Sequence, residues 1–94
     1  MAKEILADIT DAAASEQFEV SDVSNYPTIS ADLLAGAEEA DLQILTNDGV
    51  WVNTGVSLTA TAAAKQVEMI GVFRVNKDAT AGACAINLHT KGDL

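Results

Sequence analysis

The chain has 94 residues, a hydrophobic fraction of 49% and a formal net charge of −9, which favours one soluble domain, because single cores usually occupy about 50–200 residues. Residues 1–50 carry eleven acids against Lys3, a balance of −10, and residues 51–94 carry three acids against four basic residues, a balance of +1. Phosphate groups would be repelled by the acidic half and would find no basic cluster in the other, which argues against nucleic acids and anionic membranes as partners.

Small side chains make up much of the apolar content, and only 4% of the residues are aromatic. Each alanine buries little apolar area, and burial stabilises by about 25 cal/mol per Å². A domain of this composition would be marginal in isolation and would gain from assembly with its own copies or with a partner. The acidic surface fits solubility at high concentration, or docking onto a basic protein surface.

The N-terminal segment, residues 1–14, fits more than one structure. Ile5, Leu6 and Ile9 recur at helical spacing among acidic residues, which favours a short amphipathic helix. The positions of Ile5 and Ile9 also fit the period of a strand, so a helix, an added strand and an extended arm all stay open. We expect residues 15–94 to form a single β domain, with Ile5, Leu6 and Ile9 as candidate contacts to a partner.

From residue 15 onward the apolar residues follow a period of two, which is typical of half-buried strands. The predicted strands are residues 18–20, 28–30, 41–46, 50–52, 56–60, 67–69, 72–75 and 83–89. Residues 62–64 and 76–82 are interpreted as loops. About seven or eight short strands at this spacing predict an all-β fold, a small antiparallel β-sandwich or a barrel-like domain.

Two glycines mark positions where the predicted strands turn or become irregular. Asn47-Asp48-Gly49 lies between alternating segments, which is the composition of a tight β-hairpin, because Asn and Gly tolerate the positive φ of such turns. Gly55 permits a bend or a bulge in the strand that follows.

Trp51 stands beside this hairpin, between Val50 and Val52. If the valines face the core, Trp51 faces outward and becomes a protein contact or a ligand platform. If Trp51 fills the core, the valines lie outside, and a small core with few large side chains favours this second arrangement slightly. Trp51 is therefore a candidate partner contact whose orientation stays open.

The sequence offers no grouping that predicts catalysis or metal binding. Cys84 and His89 fall on opposite sides of one strand, so we expect a buried thiol and a solvent-facing imidazole rather than a nucleophile with its base. One Cys and one His are too few for zinc. Four acids bracket one strand without forming a calcium loop: Glu38, Glu39, Asp41 and Asp48. We expect no enzymatic activity, no cofactor and no metal.

The first residues, Met-Ala-Lys-Glu, lack the basic-then-apolar pattern of a secretory signal. The apolar runs are far shorter than the roughly 20 residues that span a bilayer. We expect a protein made in the cytoplasm and either kept there or assembled there into something larger.

Three segments together resemble small β modules of tailed bacteriophages: YPTISADLLAGAEEADLQILTNDGVWVNTG, SLTATAAAKQVEMIGVFRVNK and ATAGACAINL. The features in common with those modules are a glycine turn ahead of a Trp-containing strand and, later in the chain, a glycine-hydrophobic-aromatic-Arg-Val segment, here Gly-Val-Phe-Arg-Val. They cover residues 26–88 with few interruptions, about two-thirds of the chain. The group that the chain resembles most is the capsid decoration, or cement, proteins of marine tailed phages.

That resemblance implies a structural virion protein that stabilises the shell from its outer surface. It implies a homotrimer bound to the major capsid protein and assembled in the host cytoplasm, with residues 1–14 as an arm along the shell and no catalytic residues. The alternative is a carbohydrate- or host-surface-binding β-sandwich module of a phage fibre or tail protein, which would need Trp51 exposed, with Tyr26 as a possible neighbour.

Overall fold

The computed structural model describes residues 2–90, and these residues form nine strands and no helix. The strands are β1 (Ala2–Ile9), β2 (Ala13–Ala14), β3 (Phe18–Val20), β4 (Thr28–Ala31), β5 (Glu39–Leu45), β6 (Trp51–Thr59), β7 (Ala64–Gln66), β8 (Gly71–Lys77) and β9 (Cys84–His89). The predicted all-β class is confirmed. The number of strands exceeds the prediction because residues 1–14 contribute two strands, while residues 50–52 and 56–60 belong to one.

The strands form two antiparallel sheets. The four-stranded sheet has the order β1-β9-β4-β7, and the five-stranded sheet has the order β2-β8-β5-β6, with β3 also paired to β8. Most neighbours within a sheet are distant in the chain, as in β1 with β9 and β4 with β9. The fold therefore depends on pairing between distant segments.

The core lies between the two sheets. Ile29 and Ile86 from the four-stranded sheet and Leu42 from the five-stranded sheet are fully buried in one cluster. Phe73 is opposite Phe18 in the β3–β8 pair, and their rings stack with centroids 5.9 Å apart. These two large rings supply volume that the alanine-rich composition otherwise lacks.

The N-terminal segment forms strands, so of the three structures left open by the sequence the added strand is the observed one and the short helix is excluded. β1 pairs with β9, with register shifts between Glu4 and Leu6 and between Leu6 and Ile9. Such irregularities break strict alternation. As a result, adjacent Ile5 and Leu6 both contact the core, which explains why the apolar residues of this strand imitate helical spacing.

Ser15 joins β2 to β3 along the same edge of β8. Its backbone N–H donates to the carbonyl of Val75 over 2.8 Å, and its hydroxyl accepts from the N–H of Val75 over 2.9 Å. The side chain thus replaces a backbone partner where the ladder is interrupted. The sequence analysis did not identify this role, although the serine is buried.

The predicted hairpin is confirmed between β5 and β6. The N–H of Thr46 donates to the carbonyl of Val50 over 2.9 Å, and the N–H of Gly49 donates to the carbonyl of Thr46 over 3.0 Å. Gly49 has φ of 79°, which fits a three-residue loop that ends in a left-handed residue. Asn47 does not need positive φ, since only glycines adopt it among the described residues.

A bulge in β6 confirms the irregularity predicted at Gly55. Asp41 is opposite Ser57 and Gln43 is opposite Asn53, so three residues of β6 face the single residue Leu42. Gly55 at their centre has φ of 92°, a conformation that side chains with a Cβ rarely adopt.

The strand predicted at residues 67–69 is displaced toward the N-terminus. β7 is Ala64–Gln66, so it begins inside the predicted loop of residues 62–64. Val67 then leaves the strand: its N–H donates to the carbonyl of Pro27 over 2.8 Å, and its side chain is fully buried. The predicted loop of residues 76–82 is also shorter, because β8 continues through Lys77.

Candidate functional site

The outer face of the five-stranded sheet carries a group of polar and aromatic side chains. Residues directly opposite each other in a sheet share a face, and the register pairs Leu45 with Trp51, Gln43 with Asn53, and Gln43 with Arg74. The neighbouring position Leu42 points the other way, into the core. We call the surface formed by Trp51, Asn53, Gln43 and Arg74 the Trp51 face.

Hydrogen bonds and a cation–π contact hold the Trp51 face together. Arg74 places its Cζ atom 4.6 Å from the centre of the Trp51 ring, and its Nε donates to Oε1 of Gln43 over 2.8 Å. Gln43 in turn donates from Nε2 to Oδ1 of Asn53 over 3.0 Å. Each polar group therefore positions the next across three strands, and a cation–π contact at an exposed site contributes about 0.5–1 kcal/mol.

The orientation of Trp51 combines parts of the two predicted arrangements. Trp51 is half-buried on the outer face and does not belong to the core cluster, so the interpretation that it fills the core is wrong. Val50 and Val52 are nevertheless exposed, by 54% and 42%. Both sides of β6 therefore reach solvent at this end of the strand, whereas Leu58 near its other end is fully buried.

The other predicted contact residues lie in β1, which belongs to the four-stranded sheet. Ile5 is only 5% exposed and is part of the core, so it presents almost no surface to a partner. Leu6 packs against the core as well, and Ile9 is half-buried opposite Cys84. The structure therefore does not combine these residues and Trp51 into one contact surface.

The four-stranded sheet brings together a serine and a histidine that the sequence analysis did not connect. Cys84 is buried and His89 exposed, as predicted, but Ser30 Oγ lies 2.8 Å from Nε2 of His89. Catalysis by such a pair depends on a third group that orients the imidazole. Within residues 2–90 no carboxylate bonds to His89, and Asp32 instead accepts from Asn87 over 2.9 Å.

The acids that bracket β5 serve separate local contacts. The carboxylate of Glu38 accepts from the backbone N–H of Ala81 and from that of Ala35, each over 2.8 Å, and these bonds hold its pKa below the ordinary value. Asp41 accepts from the hydroxyl of Ser57 over 2.6 Å. Across residues 2–90, no group of three or more acidic, His or Cys side chains could hold a metal ion.

A small cleft of about 150 Å³ lies between β3 and the end of β9. Its walls are Phe18, Glu19, Val20, Ser21, Asp22, Asn25, Pro27, Leu88 and Thr90. This volume is below the roughly 300–1,000 Å³ typical of small-molecule sites. The Trp51 face, by contrast, is an open surface suited to a large partner.

No helix in the described part of the chain is long and apolar enough to cross a membrane. Comparisons with protein families, with curated proteins and with solved structures found no match to this chain.

Proposed function

We propose that this chain is a structural virion protein, a capsid decoration or cement protein that binds the outer surface of a capsid through its Trp51 face. The observation that carries the proposal is the pair of Trp51 and Arg74, held together on an exposed sheet face 4.6 Å apart. Trp and Arg are enriched among the few residues that dominate protein interfaces.

The geometry of the Trp51 face favours binding without rearrangement. Arg74 is already held by Gln43, and Gln43 by Asn53, so docking would immobilise few additional rotamers. Val50 and Val52 flank the tryptophan in the chain but point to the opposite side of the strand, so the apolar area of this contact comes from Trp51 itself. The function is then the burial of surface between proteins.

The charge of the chain indicates the chemistry of the partner. The net charge of −9 would attract the whole chain to a basic shell at long range, and this attraction would weaken as salt is added. The Trp51 face, whose only charged member is Arg74, would supply the short-range contact. The proposed partner is the major capsid protein, and the proposed location is the outside of the virion. A homotrimer is the assembly that the phage resemblance implies.

The test is binding to purified shells that lack this protein, measured by co-sedimentation. We expect Trp51→Ala to weaken binding by at least about tenfold, the effect of a hot-spot residue. Val23→Ala is the matched control, since Val23 is an exposed apolar residue in the loop between β3 and β4.

Equal binding by Trp51→Ala and the wild type would show that another surface makes the contact. No binding by the wild type, together with few copies per virion by quantitative mass spectrometry, would contradict the decoration function itself.

A carbohydrate-binding function is the second candidate, and the amides beside the tryptophan favour it. Sugar sites combine an aromatic platform with polar groups that fix orientation, and Gln43 and Asn53 lie on the same face as Trp51. Tyr26 packs against the core instead. Saturable quenching of Trp51 fluorescence by a glycan would support this function, and unchanged emission across glycans would contradict it.

A further inference from the structure

We propose that two copies of this chain pair through the free edge of β6, antiparallel and around a two-fold axis at Val52. The contact joins the two five-stranded sheets into one. It goes beyond capsid binding and does not depend on it, because it is a property of the isolated protein.

The part of the β6 edge that precedes the bulge at Gly55 lacks the usual protection against pairing. β6 ends its sheet, and no other strand within residues 2–90 pairs with its outer side. Proteins commonly protect such edges with charges, with proline or with a bulge. Here residues 49–64 contain no ionisable side chain and no proline. The bulge at Gly55 interrupts the edge, which leaves the part before it, residues 50–54, available for regular pairing.

The backbone of this part is oriented for pairing. The N–H of Thr46 donates to the carbonyl of Val50, and in an antiparallel pair the bonded positions alternate along the strand. The backbone groups of Val50 and Val52 therefore face β5, whereas those of Trp51 and Asn53 face the free edge. A two-fold axis at Val52 places Trp51 opposite Asn53 of the second copy, which allows four intermolecular backbone hydrogen bonds.

The side chains suit the same register. Val52 is 42% exposed, and at the axis it would meet Val52 of the second copy at a non-hydrogen-bonded position, where side chains come closest. Trp51 would lie beside Asn53 of the second copy on the outer face. The pairing therefore covers apolar surface that the single chain leaves in water.

Charge favours a second copy as the occupant of this edge. A basic partner would be selected by acids at the contact, but this edge carries none, although the chain as a whole carries −9. Two such chains repel each other at most surfaces and can approach closely only where charge is absent. An antiparallel edge is also self-complementary, as a two-fold interface requires.

The size of the contact sets its strength. Five residues at about 3.4 Å each extend about 17 Å, and the molecule is 20 Å across its thinnest dimension. A strip of this length and width on each of the two copies would bury about 700 Å² in total, which is below the roughly 1,200–2,000 Å² of stable complexes. We therefore expect a weak, concentration-dependent dimer, which could link neighbouring copies or trimers where they are crowded together.

The experiment is sedimentation equilibrium of the full chain across protein concentrations at low and high sodium chloride. The wild type should pass from monomer to dimer, and salt should strengthen the dimer by screening the repulsion between acidic copies. Val52→Lys should weaken dimerisation by at least about tenfold, because two like charges would meet directly opposite each other. Val23→Lys is the matched control, with the same charge added in an exposed loop, and it should dimerise like the wild type.

A second variant tests the backbone bonds. Asn53→Pro removes an N–H that faces the free edge and no bond to β5, so it should weaken the dimer more than Asn53→Ala, which removes only the side chain. Thermal unfolding checks that each variant is folded. A wild type that stays monomeric at all concentrations, or an association that Val52→Lys leaves unchanged, would overturn the proposal.

Discussion

At the scale of single residues, Lys77 is the only charged side chain that is buried within residues 2–90, with 1% of its surface exposed. Its Nζ donates to the carbonyl of Asp78 over 3.0 Å and to the hydroxyl of Thr80 over 3.3 Å. Thr80 donates in turn to the carbonyl of Gly82 over 2.7 Å. Lys77 thereby holds the loop between β8 and β9 while its apolar stem fills the end of the core.

We expect Lys77→Ala to lower the free energy of unfolding by about 2–4 kcal/mol, because it leaves a cavity and removes the donors. Lys77→Met should cost less, since it keeps the stem and removes the buried charge. Urea denaturation measures both. Lys3→Ala is the control at an exposed ion pair with Glu16, where we expect little change. If Met cost as much as Ala, the hydrogen bonds would matter more than the stem.

At the scale of elements, β1 is a part of the sandwich rather than an arm attached to it. Its pairing with β9 and the burial of Ile5 place it in the core. A strand that contributes core residues cannot leave the domain without exposing apolar surface. A role for this segment along a shell would therefore have to use its exposed side chains, such as Glu4 and Asp8.

Ile5→Ala should lower the free energy of unfolding by about 2–4 kcal/mol, the usual cost of removing a buried isoleucine side chain. Ile9→Ala is the matched control in the same strand, and its effect should be smaller because Ile9 is only half-buried. Denaturant unfolding compares the two. An Ile5→Ala protein as stable as the wild type would mean that β1 is not packed as described.

At the scale of the whole molecule, the carboxylate of Glu38 joins the two connections that run between the sheets, the one from β4 to β5 and the one from β8 to β9. Glu38 precedes β5 of the five-stranded sheet, and Ala81, which donates to it, precedes β9 of the four-stranded sheet. The bonds from Ala81 and Ala35 lower the pKa of Glu38 from its ordinary value of 4.5. A carboxyl group whose pKa is lower in the folded than in the unfolded protein stabilises the folded state at pH values above the unfolded pKa. That stabilisation is lost as the pH falls through the lowered value.

Stability should therefore decrease as the pH falls below about 4.5, and Glu38→Gln should make this decrease shallower. The variant should also melt at a lower temperature than the wild type at neutral pH, where the carboxylate bonds are fully formed. Glu39→Gln removes the same charge at an exposed neighbour and controls for the change in net charge. Thermal melts between neutral and acidic pH provide the measurement, and parallel curves for Glu38→Gln and the wild type would contradict the expectation.

Local patterns were enough to predict the class of fold and several of its details. Alternation of apolar residues predicted most strands, and the glycines at positions 49 and 55 predicted the hairpin and the bulge, because positive φ restricts these sites to glycine. The same local rules failed at β1, where two register shifts put Ile5 and Leu6 on the core together. They also predicted β7 too late in the chain, because the bond from Val67 to Pro27 that ends this strand depends on a distant segment.

The sequence by itself determined the all-β class, the turns and the acidity of this protein, since these follow from period, backbone conformation and composition. Only the tertiary structure decided which strands are neighbours, because a period of two assigns a side chain to a face but names no partner strand. Gln43 links Asn53 to Arg74 because β5 lies between β6 and β8. The Trp51 face and the free edge of β6 both arise from that order of strands.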